Sequence, residues 1–200
     1  RIPTRMEWKR IVLIGFFSTF IYQVLFMYGM KYTAAGDASL MITFNPIFTA
    51  LLAIPFLDEK MNWRLATGLL CGLSGVIVIF LYSPNIEIPF DLRMKGDLMI
   101  AGAALAWASS SILQKKAMTS TASDSDNPLS PLNLTVWASL VGLLILTPWA
   151  AYESMINGFP QPSFDGWMAI LFLAILSTVI SYVWFADGIV TIGAGKAALY

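Results

Sequence analysis

The chain has no histidine and only one cysteine, Cys71, among its 200 residues. Without histidine, an HExxH zinc site and a histidine general base are both excluded within it. A lone thiol cannot close an internal disulfide and says little about redox compartment. Charge is scarce too. Charged residues make up 12% of the chain, about half the fraction usual in soluble domains. The formal net charge is +0, which argues against a nucleic-acid partner. A phosphate-cradling loop is missing. Gly195-Lys196 looks like the end of one, but the motif needs glycine at 190 and serine or threonine at 197, where Val190 and Ala197 stand. No nucleophile–base pair stands out, so an enzyme is not expected, and neither is a cofactor or a bound metal.

What is present is apolar. Hydrophobic residues make up 58% of the chain, and mean hydropathy is +0.71. Runs without any charge cover 11–30, 38–57, 65–86, 98–114, 132–152 and 166–186. Each approaches the ~17–25 residues that cross a bilayer as helix. Period-two alternation is absent from them, which disfavours a β-barrel. The expected fold is an all-α polytopic bundle with six full spans and a seventh beginning near Ala197. The chain is expected to be a fragment of a longer protein.

Residues 8–40 recur at an offset of 159. Identical pairs include Trp8/Trp167, Ile11/Ile170, Ser18/Ser177, Thr19/Thr178, Phe26/Phe185, Gly29/Gly188, Gly36/Gly195 and Ala38/Ala197. The second copy begins five spans after the first, and an odd offset makes the two antiparallel. Inverted repeats are a construction common among secondary transporters, because the two halves can exchange inward-open and outward-open forms. Lysine and arginine set the orientation. With the N-terminus inside, nine of the 12 cations fall in inside loops, and only Lys31, Arg93 and Lys95 fall outside.

Within the first span Ser18, Thr19, Tyr22, Gln23 and Phe26 share one helical face. Asp37 or Ser39 is expected to cap the second span, which Pro46 should kink by freeing the carbonyl of Ile42. Gly68, Gly72 and Gly75 in the third span read as packing residues. Ser83–Gly96 reads as an outside loop, with Asp97 capping the fourth span. That helix presents Trp107, Ser110, Ser111 and Gln114 before Lys115-Lys116. Residues 119–131 read as a polar linker, and the crowded charges Asp58, Glu59, Lys60 and Arg64 as a solvated turn.

The runs KYTAAGDASLMITFNPIFTALLAIPFLDEK (Lys31–Lys60), STVISYVWFADGIVTIGAGKAAL (Ser177–Leu199) and GDLMIAGAALAWASSSILQKK (Gly96–Lys116) resemble EamA domains of the drug/metabolite transporter superfamily. The resemblance implies ten helices arranged as two inverted five-helix repeats. Residues 1–86 would be the C-terminal part of the first, with three spans, and 87–97 an outside loop between repeats. Residues 98–200 would be the N-terminal part of the second, with three spans and the start of a fourth. It also implies a multi-pass protein of the inner or plasma membrane, with the fragment's N-terminus cytoplasmic. Its function would be alternating-access transport, and often efflux, of an amino acid or related metabolite. A membrane sensor or assembly subunit that transports nothing is the alternative. Expected partners are a small-molecule solute and the lipid bilayer, with a homodimer left open. Asp187 stands where many family members have an aromatic or small residue.

The path of a solute should run near mid-membrane between the repeats. Its candidates are Tyr22, Gln23, Asn45, Trp107, Ser110, Gln114, Ser181 and Tyr182, with Pro46 as the kink beside them. Gln23 and Asn45 carry weight because a buried amide in hydrocarbon is costly without a partner. Each serine competes with a bond to its own helix, and each aromatic with plain packing. The six spans hold no mid-membrane acid, so coupling through a central carboxylate is not expected within them. Aromatics, amides and hydroxyls together suit a neutral or zwitterionic solute.

Overall fold

In the computed structural model residues 2–61, 63–82, 88–124 and 129–192 are described, and among these all regular structure is helical. Six rods run in chain order: α1 (Arg5–Gly29), α2 (Ala35–Leu57), α3 (Trp63–Tyr82), α4 (Phe90–Asp124), α5 (Pro131–Asn157) and α6 (Phe164–Ile192). Among the described residues five of them, all but α3, are long and apolar enough to cross a membrane. The third predicted span is helical over 20 residues, Trp63–Tyr82. Its continuation at 83–87, and the start of the seventh span near Ala197, lie outside the described residues.

Local chemistry explains where the rods begin. Thr4 and Glu7 form a reciprocal capping box, the Thr4 N–H donating to Glu7 Oε2 at 2.6 Å and the Glu7 N–H to Thr4 Oγ1 at 3.4 Å. Ser130 caps α5 through the Asn133 N–H, and Ser163 caps α6 through the Gly166 N–H. The α2 start corrects the sequence reading. Neither Asp37 nor Ser39 caps it: Ala34 holds the cap position, Asp37 is buried in the first turn, and the Ser39 hydroxyl donates to the Gly36 carbonyl.

Pro46 does more than kink α2. The rod stops at Ile42, turns through Thr43 and Phe44, and restarts as Asn45–Leu57 with Pro46 in its first turn. A proline there costs nothing, since its missing N–H is one the first turn leaves unpaired anyway. The second half ends at Asp58, whose φ of 53° puts the helix's C-cap in the left-handed region.

Two further corrections concern α4. Helix begins at Phe90, so residues 90–97 are not loop, and Asp97 lies inside the helix rather than at its cap. The backbone also stays helical through Asp124, which shortens the linker read at 119–131. The 35 residues of α4 make a rod of about 50 Å that lies along α1 and α2. Its contact face is small: Ala103, Ala104, Ala106 and Ala108 are buried. Between helices in lipid, close van der Waals approach rather than water exclusion supplies most of the attraction, and alanine permits it.

Two apolar clusters sit at opposite ends of this seam. Ile11 and Ile14 of α1 pack with Ala117 of α4, with Leu134 and Ala138 of α5, and with Leu129 just before α5. Ala38, Met41 and Phe44 of α2 pack on Ile100 of α4. Glycine sets the closest approach. A Cβ on Gly15 would meet the Ala138 carbonyl oxygen, and one on Gly142 would meet Thr19, so α1 and α5 touch backbone to backbone. The glycines of α3 behave differently from expectation. Only Gly72 packs, against Ile47, whereas Gly68 and Gly75 face open space among the described residues.

Candidate functional site

Residues 16–21 of α1 and 173–180 of α6 depart from α-helix in the same way: both form π-helical turns. Shifting Phe16–Ile21 by the repeat offset of 159 gives 175–180, inside the second turn. A π turn widens the helix by one residue and leaves backbone groups to be satisfied by side chains, and such turns are frequent at functional sites. Each holds the paired Ser-Thr of the repeat. In α1 the Ser18 and Thr19 hydroxyls lie 3.5 Å apart, and Ser18 is buried. In α6 the Thr178 hydroxyl donates to the Leu173 carbonyl, five residues back, at 2.8 Å.

Beside the α1 turn lies a hollow between four helices. It is lined by Ile14 and Ser18 of α1, Trp107 and Gln114 of α4, Thr135, Ala138 and Ser139 of α5, and Phe185 of α6. Trp107 links two other aromatics at its edge: its ring lies 5.4 Å from Tyr22 and 5.9 Å from Phe185, centroid to centroid. Tyr22 in turn stacks on Phe26 at 5.7 Å. Phe26 and Phe185 are repeat mates, so one tryptophan joins aromatics from both copies of the repeated sequence. Gln114 is 7% exposed and brings an amide two turns from that ring. The Thr135 hydroxyl is held by the Pro131 carbonyl of its own helix.

The structure therefore places Trp107 and Gln114 in the lining of one hollow, with Tyr22 against the Trp107 ring. Others stand apart. Ser110 is buried, but its hydroxyl donates to the Trp107 carbonyl at 2.7 Å, the local bond that competes with any solute. Gln23 is half-buried beside Tyr22 and does not line the hollow. Asn45 lies at the α2 break, where its Oδ1 is buried without a hydrogen-bond partner among the described residues. Ser181 is exposed on α6, and the side chain of Tyr182 lies outside the described residues. Asp187 is exposed, and the charges at 58–60 form the expected exposed turn. Sequence reasoning missed Ile14, Thr135, Ser139 and Phe185. Phe185 had a signal, its pairing with Phe26; Thr135 and Ser139 are a helical turn apart on α5, a spacing common to any polar pair.

Six apolar rods, one of them interrupted, with a small hollow between four of them, define a polytopic α-helical membrane protein. The EamA-like transporter family matches residues 1–81 and again 94–200, so the chain belongs to that family. It is 27% identical over 190 residues to the uncharacterized transporter YyaM of Bacillus subtilis, covering 94% of this chain and 59% of that one. It is 26% identical over 202 residues to a probable terminal-alkyne amino-acid exporter of Streptantibioticus cattleyicolor, covering 100% and 63%. A probable amino-acid metabolite efflux pump of Escherichia coli is 27% identical over 155 residues, covering 74% and 48%. The chain thus spans roughly half to two thirds of the length of these relatives. No solved structure matches.

Proposed function

We propose that this chain forms part of a carrier that moves a small neutral or zwitterionic solute, of the amino-acid class, out of the cell by alternating access. The observation that carries the reading is Trp107, set between Tyr22 and Phe185 over a hollow holding Ser18, Gln114 and Ser139. Aromatic faces supply apolar contact, while the amide and hydroxyls hydrogen-bond a polar group without adding net charge. A zwitterion suits such a lining better than an ion does, because its own charges balance when water is stripped from it.

Two features support inverted repeats as the moving parts. The family matches the chain twice, and both copies of the repeated sequence carry a π turn at equivalent positions. Rocking one repeat against the other would open the hollow to each side in turn. The excess of cations toward the helix ends that carry Arg10 and Lys116 supports those ends, and the N-terminus, as cytoplasmic. The exporter and efflux names of two relatives support the outward direction.

The test is counterflow of labelled amino acids and their derivatives in proteoliposomes holding the native full-length protein. Saturable exchange of one solute class is expected. Binding without flux for every class tried would replace the carrier by a sensor.

A further inference from the structure

Asp97 lies seven residues into α4, where the sequence pattern suggested a cap, and it is 0% exposed. Its Oδ1 accepts a hydrogen bond from the Thr33 hydroxyl at 2.5 Å. Its Oδ2 is buried and has no hydrogen-bond partner among the described residues. Asp37 of α2 and Arg93 of α4, 5% and 6% exposed, are the charged groups within electrostatic reach. The neighbouring cations are directed elsewhere: Lys31 pairs with Glu153 at 3.6 Å and lies over Tyr28, and Lys95 lies over Tyr32. Ionised, Asp97 would carry charge on an oxygen that has no hydrogen-bond donor among the described residues and no exposure to water, which burial makes costly.

Backbone packing leaves that charge no relief. A Cβ on Gly96 would come within 2.9 Å of the Thr33 nitrogen, the Tyr32 carbonyl carbon and the Gly29 oxygen. The turn between α1 and α2 is pressed onto α4 beside the acid. Water can reach Oδ2 only if this seam parts.

We propose that Asp97 is a proton-binding site, and that its proton seals the end of the bundle roughly 28 Å along α4 from Lys116. With the proton bound, Oδ2 is neutral and the seam stays shut. Release to bulk water leaves a carboxylate that draws water in, and the turn carrying Thr33 lifts from Gly96. This rests on the carrier reading, since the sealed end would be one of its two gates, yet the proton site itself is measurable without transport.

Infrared difference spectra of the native full-length protein in detergent, recorded across a pH titration, test it first. A carbonyl band of a buried carboxylic acid is expected. It should vanish in Asp97→Asn, survive in Asp37→Asn, and shift in frequency in Thr33→Val, which removes the hydroxyl bonded to the same carboxyl. A band unchanged by Asp97→Asn, or lost in Asp37→Asn alone, would overturn the assignment. Counterflow then tests the gate. Its rate should change with pH by up to about tenfold per unit, the limit for one proton, and the change should disappear in Asp97→Asn. A pH profile identical in Asp97→Asn and the native protein would overturn the gate. Loss of the band in Asp97→Asn with no flux of any solute would uphold the proton site and remove the carrier reading instead.

Discussion

Ile11 and Ile170 are the same residue at the same point of a repeated sequence, yet Ile11 is 0% exposed and Ile170 is 45% exposed. The contrast runs the length of α1 and α6. α1 is wedged between α4 and α5 and contributes Ile11, Ile14 and Ser18 to the interior, whereas the apolar window of α6 has no buried residue among those described. The backbone does not follow burial. Both helices take a π turn around their Ser-Thr pair. A repeated sequence thus encodes the turn locally, while burial depends on which neighbours lie alongside.

That separation can be broken deliberately. Ile11→Ala should cost about 3 kcal/mol of stability, because it empties space among Leu134, Ala138 and Ala117. Ile170→Ala should cost less than about 1 kcal/mol. Thermal unfolding in one detergent compares them, and equal losses would mean that α6 is buried as deeply as its mate. Next in size is Gly15→Ala, whose new Cβ would press on the Ala138 carbonyl and force α5 aside. A cost of about 2 kcal/mol is expected, against about 0.5 kcal/mol or less for the mate substitution Ala174→Leu at an exposed position.

Function should follow the aromatic bridge rather than burial. Trp107→Ala removes the ring that touches Tyr22 and Phe185, and should lower counterflow about tenfold, or about 1.4 kcal/mol, with membrane expression retained. The smallest effect is expected at Ser110. Its hydroxyl is already committed to the Trp107 carbonyl, so Ser110→Ala should leave flux within about twofold and stability within about 1 kcal/mol. A large flux defect there would put Ser110 back on the path.

The membrane fold was legible in the sequence because the bilayer dictates long charge-free runs, and these reappear as the rods. The repeat was legible because Ser18-Thr19 and Phe26 recur at one offset. Boundaries were harder. Gly96-Asp97 has the composition of a helix start, but the helix begins at Phe90, and the acid inside it is bonded by Thr33, which is distant in sequence. The same holds for the site. Tyr22, Trp107 and Gln114 declared themselves as polar or aromatic residues in apolar helices, but the face of α5 that meets them is chosen by the Gly15–Gly142 approach. Pairwise packing of that kind leaves no periodic trace. Asn45-Pro46 announced a disturbance, and its depth, a full interruption of α2, came from the way Thr43 and Phe44 turn.

The central claim is that solute passes through the hollow shared by α1, α4, α5 and α6. Single cysteines replacing Gln114 and Ser139, in a Cys71→Ala background, face it from two helices. Thiol labelling of each in proteoliposomes, with and without a solute that gives counterflow, tests the claim most directly. Solute should slow labelling at both positions, half-maximally at the concentration that half-saturates flux. Robust flux with labelling unchanged at both would place the path elsewhere and contradict the account.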